Sequence, residues 1–389
     1  MSRLLAESLT RGATAGLSRG AAVISSAGGR IGARSHRSIV LSAVALSILV
    51  PGYAWAVEPP AAPTPTAPTA VVPGPIDADD SAPAAQASEG ATPAPAAPAR
   101  RPFDRPLLKR RPLNKSSVEP LSGVVYSDNG VRLTADIYVP AGDGPFPGVL
   151  VVHGGAWRSG SPLQMGHISQ RLAREGYVAV SIRYRLAPEY KFPAQIHDCK
   201  AAIRWMRTHA AEYKIDPERI GAWGYSAGAH LVALLATTDP TAGLEGPNVP
   251  ADAPSTRVKA VVTGGTPCDF RPLPEDAQAM FFLFGGSRRE LPELYAQASP
   301  AAWVSSDDPP IFMYHGSADH LVPLRNAERM YVLLKQAGVP CELKIIPEAG
   351  HVPAMFNSEA ARAAVKFLDE HLKGPAAGEQ ADAPAATPN

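Results

Sequence analysis

Ser226 lies between two glycines in Gly224-Tyr225-Ser226-Ala227-Gly228. A serine hydroxyl is a poor nucleophile until a base takes its proton, and the base needs an acid to orient it. Apolar residues Ile220 to Trp223 precede the motif, and the apolar run Ala227 to Thr237 follows it. A strand, a tight glycine-flanked turn and a helix would lift the hydroxyl clear of the backbone at a helix N-terminus. Free N–H groups and the positive end of the helix dipole there favour a developing oxyanion. Downstream, Asp319 follows the apolar run Pro309 to His315, and His351 follows Cys341 to Ile346. The chain order is therefore Ser226, Asp319, His351, each just past its own strand. Loops just past the strand ends are where sites in parallel sheets are built, and Ser, Asp, His is one of the chain orders in which such a set occurs.

A second motif completes the chemistry. The apolar run Gly148 to Val152 ends in His153-Gly154-Gly155-Ala156-Trp157. Glycine backbones let N–H groups approach a substrate oxygen closely. Gly154 and Gly155, with Ala227 after the nucleophile, are the expected oxyanion donors. His153 reads as a brace for this loop.

Other candidates rank lower. His320 adjoins Asp319 and cannot easily face it. His230 falls one turn into the helix after Ser226, which suits packing beneath it. His197, His209 and His371 lie in helical patterns. Asp307 and Asp308 precede Pro309-Pro310, a turn signal. Glu348 is too close in sequence to His351 to reach it from the far side.

Elements that would hold these residues in place follow from the hydrophobic pattern. Val124–Ser127 and Val131–Val139 read as a hairpin turned at Asp128-Asn129-Gly130. Strands are expected at 148–152, 177–182, 220–223, 258–263, 311–314 and 341–346. Helices are expected at 162–175, 194–213, 227–237, 324–336 and 358–372. Near-continuous apolar strands alternating with helices imply a parallel sheet buried on both faces. Between 269 and 304 the alternation breaks around Met280-Phe281-Phe282-Leu283-Phe284, which reads as a small lid insert or pocket wall. Trp157 and Arg158 are candidates for the entrance.

On these motifs the chain resembles the α/β-hydrolase superfamily and its esterase/lipase branch. The matching segments are His153–Trp157, Tyr184–Glu189, Asp198–Trp205, Gly224–Gly228, His315–Asp319 and Gly350-His351, spanning roughly residues 120–373. They are similar to bacterial acetyl-esterase and feruloyl-esterase-like enzymes, which are related to the hormone-sensitive-lipase group. That group usually has a third glycine where this chain has Ala156, and a helical cap ahead of its first strand, where this chain is proline-rich. The resemblance implies an eight-stranded α/β-hydrolase sheet with its first two strands forming an antiparallel edge.

The flanks have other compositions. Arg30, Arg34 and Arg37, the apolar run Ile39 to Val50, and Ala54-Trp55-Ala56 give residues 1–56 the order of a signal peptide or N-terminal anchor. Residues 57–116 form a linker: Glu58 to Ala99 holds eleven prolines, and Arg100 to Lys115 has seven basic residues. Too little apolar area exists there to offset ordering entropy. The basic end could sit against an anionic envelope surface. Residues 117–373 form the catalytic domain, and 374–389 an Ala/Pro-rich tail.

A net charge of +1 over 389 residues recruits neither nucleic acid nor strongly anionic ligands. Cys199, Cys268 and Cys341 are too few and scattered for a disulfide framework or zinc site, although export would let one pair oxidise. No phosphate-binding glycine motif or cofactor signature is present. The expectation is an exported serine esterase with no metal or cofactor, acting on small-molecule or polysaccharide esters, acetyl or feruloyl among them. An amidase or exopeptidase on the same scaffold, and a catalytically silent adhesion module, are the rival readings.

Overall fold

The computed structural model describes residues 118–128 and 130–373. The expected signal or anchor segment, the linker with its basic end, the C-terminal tail and the turn residue Asn129 lie outside the described residues.

Eight strands make one sheet: β1 (Leu121–Asp128), β2 (Arg132–Tyr138), β3 (Phe146–Val152), β4 (Val178–Ile182), β5 (Ile215–Tyr225), β6 (Val261–Gly264), β7 (Ile311–Gly316) and β8 (Cys341–Ile346). Their spatial order is β1-β2-β4-β3-β5-β6-β7-β8. β1 and β2 pair antiparallel and β2 meets β4 antiparallel, while all later pairings are parallel. Among the described residues eight α-helices accompany them: α1 (Gly166–Arg174), α2 (Ala194–Thr208), α3 (Ala227–Thr237), α4 (Phe281–Phe284), α5 (Pro292–Gln297), α6 (Arg325–Gln336), α7 (His351–Met355) and α8 (Ser358–Leu368). This is the α/β-hydrolase fold.

The core divides by strand alternation. Leu150 and Val152 of β3 face one cluster with residues of α2, α3 and α6. Val149 and Val151 face the other, with residues of α1 and α8. The period of two along a strand sends successive side chains to opposite faces, so a sheet covered on both sides needs apolar residues at every position. All eleven residues of α3 are buried, as befits a helix apolar all round. β8 differs from the expected continuous apolar strand. It is the sheet's edge, and Glu342 and Ile345 face solvent.

Some bounds move for local reasons. β5 starts at Ile215 rather than Ile220, because Phe146 and Pro147 pair with Ile215 and Asp216 before a register shift to Gly148 opposite Ile220. The polar run Asp216-Pro217-Glu218-Arg219 therefore sits within a strand that reads as loop. The expected helix over 162–175 divides into a 3-10 turn over Pro162–Met165 and α1. α2 stops at Thr208, short of Tyr213, and the chain reverses through Lys214 at φ 57°. α8 ends at Leu368 and widens into a π turn over Asp369–Lys373.

Candidate active site

The strand ends bring the three dispersed residues together. β5 runs into α3 through Ser226, whose backbone takes φ 55° and ψ −120°. A side chain held at positive φ is strained and persists only where the surroundings enforce it. Here the enforcement is visible. The Ser226 N–H donates to Gly264 O at 2.8 Å, and its carbonyl accepts from His230 N–H at 3.0 Å. The flanking glycines are required by close approach. A methyl on Gly224 would lie 2.3 Å from Gly228 O, and one on Gly228 would lie 2.1 Å from Val152 O.

Ser226 Oγ is 2.9 Å from His351 Nε2, and His351 Nδ1 is 2.6 Å from Asp319 Oδ2. With Nδ1–H donating to the carboxylate, Nε2 is left as an acceptor for the serine hydroxyl. Asp319 is also tied by its Oδ1, which accepts from Leu321 N–H at 3.0 Å and Val322 N–H at 2.8 Å. Burial by itself would raise the Asp319 carboxyl. Hydrogen bonds from His315 and His351, the charge of His351 and the Val322 amide outweigh it and hold the group well below the usual carboxylate range. Asp319 thus presents a fixed negative charge to the imidazole at neutral pH.

The glycine loop lies against Ser226. A methyl on Gly154 would come 3.2 Å from Ser226 Cβ and 3.0 Å from Tyr225 O. His153 braces this loop as expected. It is buried, its Nδ1–H donates to Gly154 O at 2.7 Å, and its ring stacks on Tyr184 at 4.3 Å. The Tyr184 hydroxyl in turn donates to His153 O at 3.1 Å, and Ala187 N–H to Trp157 O at 2.8 Å. Arg185 anchors the supporting segment through Asp198, with contacts of 2.7 to 3.0 Å.

Trp157 does not line the entrance. It is buried, and its indole N–H donates to His230 Nδ1 at 3.1 Å. Arg158 is exposed, with its guanidinium 4.8 Å above the ring of Phe282. Of the three insert phenylalanines, Phe284 is core, packed on Phe192, Phe270 and Tyr295, while Phe281 is exposed. The insert itself lies between β6 and β7, as expected.

The lower-ranked candidates stay apart from this cluster. His320 is exposed. His209 stacks on Trp205 and His371 packs edge-on against Phe367. His197 lies within α2. Asp308 accepts from Ser305 in the turn before β7, at the opposite end of that strand from Asp319. The Glu348 N–H donates to Ser317 Oγ, and that residue turns the chain at φ 56°. All three cysteines are free and buried, so no pair is oxidised. Cys268 Sγ–H donates to Asn326 O at 2.8 Å, and burial pushes its thiol up to about 12.

Three contacts at the site are not visible in the motifs. Tyr225 donates its hydroxyl to the backbone carbonyl of His351, and the two rings lie 5.3 Å apart. Tyr225, the neighbour of Ser226, thus fixes the main chain of His351. His315, fully buried, directs Nε2–H at Val322 O (2.7 Å) and at Asp319 Oδ2 (3.3 Å). His230 supports the loop from below, donating Nε2–H to Ala298 O at 2.7 Å while accepting from Trp157.

Tyr225→Phe should keep the fold, losing about 1 kcal/mol for one hydrogen bond. Its kcat should fall roughly tenfold with KM within about twofold, because only the aim of His351 changes. Steady-state kinetics beside a thermal melt separate the two effects.

The buried histidines make a pH prediction. Burial lowers His230 and His153 from 6.5 to about 4. A protonated His230 would also lose the lone pair that Trp157 uses. The unfolded chain therefore binds more protons below pH 6.5 than the folded chain does, and stability falls as pH drops from 6.5 toward 4. Each site contributes up to about 3 kcal/mol. Urea unfolding at pH 7 and pH 4.5 checks this, and a flat profile would contradict neutral buried rings.

The chain matches the BD-FAE family over residues 135–334. It is 32% identical to esterase LipC of Mycobacterium tuberculosis over 368 residues, which are 87% of this chain and 86% of that protein. LipM of the same organism is 32% identical over 242 residues, 59% of this chain, so the chain spans about half (54%) of that relative's length. Among solved structures, a truncated carbohydrate esterase from gut microbiota superposes with a TM-score of 0.62 at 29% identity, covering 68% of this chain and 100% of that one.

Proposed function

The chain belongs to the BD-FAE family, in the esterase/lipase branch of the α/β-hydrolases, and its folded domain is that of a carboxylic ester hydrolase; from this premise we propose that it is a serine esterase acting on short-acyl esters through Ser226, His351 and Asp319. The observation that carries the proposal is the hydrogen-bonded succession from Ser226 Oγ through His351 to Asp319, at 2.9 and 2.6 Å.

In this reading Ser226 attacks the ester carbonyl while His351 Nε2 takes its proton. Asp319 holds the imidazole tautomer and stabilises the imidazolium. The N–H groups of Gly154, Gly155 and Ala227 bind the oxyanion, each worth about 3–4 kcal/mol of transition-state stabilisation. His351 then gives its proton to the leaving alkoxide. Water, deprotonated by the same nitrogen, hydrolyses the acyl-enzyme.

The short-acyl preference rests on the insert. Its helices α4 and α5 have four and six residues, and Phe281 is left exposed, so little covers the site. A long aliphatic chain gains about 0.8 kcal/mol per methylene only where it is buried. Acetyl groups suit such a site, and a planar feruloyl group could stack on Phe281 or on Phe282. Likeness to a carbohydrate esterase supports polysaccharide esters, while the acyl side fits esters of smaller alcohols equally. The basic, apolar and small-residue order of residues 1–56 supports export.

In a p-nitrophenyl ester series at matched soluble concentrations, kcat/KM should be highest at C2 to C4 and at least about tenfold lower at C10. A maximum at C10 or beyond would sink the short-acyl reading. Amide substrates turned over as fast as esters would favour the amidase alternative.

A further inference from the structure

Three apolar side chains on α7 and in the turn before α1 are left exposed. α7 begins with His351, and Val352 follows directly at 42% exposure. Phe356, which caps that helix, is 51% exposed. Its ring lies 4.9 Å from that of His167, which hydrogen-bonds the Met355 backbone. Leu163, four residues before His167 and thus one turn away, is 82% exposed. Neither Ser159–Gly166 nor Val352–Ser358 contains a charged residue. Neighbouring exposed apolar groups of this kind mark binding surfaces.

Reaction geometry says what covers them. His351 Nε2 must come within about 3 Å of the leaving oxygen to protonate it. The carbonyl oxygen points the other way, toward Gly154, which packs on Ser226. The alcohol moiety therefore leaves on the His351 side, where α7 begins. We infer that Leu163, Val352 and Phe356 form a subsite for the leaving alcohol, and that the alcohol it takes is apolar, alkyl or aryl. This rests on the assignment of His351 as the base. It narrows the alcohol side, which the acyl preference leaves open.

Ethyl, butyl and hexyl acetate test it in a pH-stat assay on the full chain. Their alkoxides have nearly equal basicity, so differences in kcat/KM read binding of the alcohol. The hexyl-to-ethyl ratio should reach about ten in the wild type, given partial burial of four added methylenes. It should fall toward one in Leu163→Ser and in Phe356→Ser. Val332→Ser, at an exposed apolar position on α6, should keep the wild-type ratio. A wild-type ratio near one, or a ratio untouched by both patch substitutions, overturns the inference. So does loss of acetylxylan deacetylation in those variants with the alkyl ratio intact, which would make the patch a sugar subsite. Failure of the underlying reading looks different: Ser226→Ala would then still hydrolyse ethyl acetate.

Discussion

Ser226→Ala is expected to reduce ester hydrolysis by on the order of 10⁶ in kcat, the scale seen when a serine hydrolase loses its nucleophile. The fold should survive. The hydroxyl stands at a partly exposed turn, and its removal opens no cavity in either core cluster. The strained backbone at φ 55° is held by the bonds of Ser226 N–H to Gly264 O and of His230 N–H to Ser226 O, and alanine keeps both. Covalent labelling by a fluorophosphonate probe should vanish together with turnover, while the melting temperature stays near that of the wild type. Labelling of the wild-type protein also separates an enzyme from a silent adhesion module on the same scaffold. Near-wild-type turnover in the alanine variant would falsify the assignment of the nucleophile.

Asp319→Asn carries the second largest effect, and the hydrogen bonds at this residue say why. One carboxylate oxygen is occupied by the amides of Leu321 and Val322, so an asparagine would keep its carbonyl there. Its NH₂ group would then face His351 Nδ1. That nitrogen would become the acceptor, the proton would move to Nε2, and Ser226 would lose its base. The expected cost is on the order of 10⁴ in kcat, with KM little changed. Asp308→Asn is the control, because Asp308 accepts only from Ser305 in a turn at the far end of β7. If Asp308→Asn were the damaging change and Asp319→Asn the mild one, the acid would have been chosen wrongly.

How far the site was legible depends on the range of the signal. Ser226, Asp319 and His351 each follow an apolar strand in sequence, and the strand-to-loop transition is a local pattern. A parallel sheet then delivers all three loops to one end without further instruction. α3 matches its expected bounds for the same reason, since its apolar run stops where the helix stops. The lower half of β5 did not read as strand, because its pairing with β3 passes through a register shift around a proline.

Long-range contacts had no such signature. The bond from the Tyr225 hydroxyl to His351 O joins residues 126 apart, and the Trp157–His230 bond joins residues 73 apart. Trp157 reads as a candidate for the entrance from its place beside the glycine loop. Only its φ of 58°, which turns the indole inward onto His230 and Phe270, makes it core. His315 ends a buried strand in the sequence, and only the fold of the following loop aims its Nε2–H at Asp319. The exposed group of Leu163, Val352 and Phe356 likewise depends on α7 docking beside α1 through the Phe356–His167 contact. The sequence by itself determined the candidate residues Ser226, Asp319 and His351 and the end of the sheet that gathers them, because residue type and hydrophobic period are local properties. Only the tertiary structure decided what aims His351, what holds Asp319 and which apolar side chains are left exposed beside α7, because each depends on the direction of a side chain across segments distant in the chain.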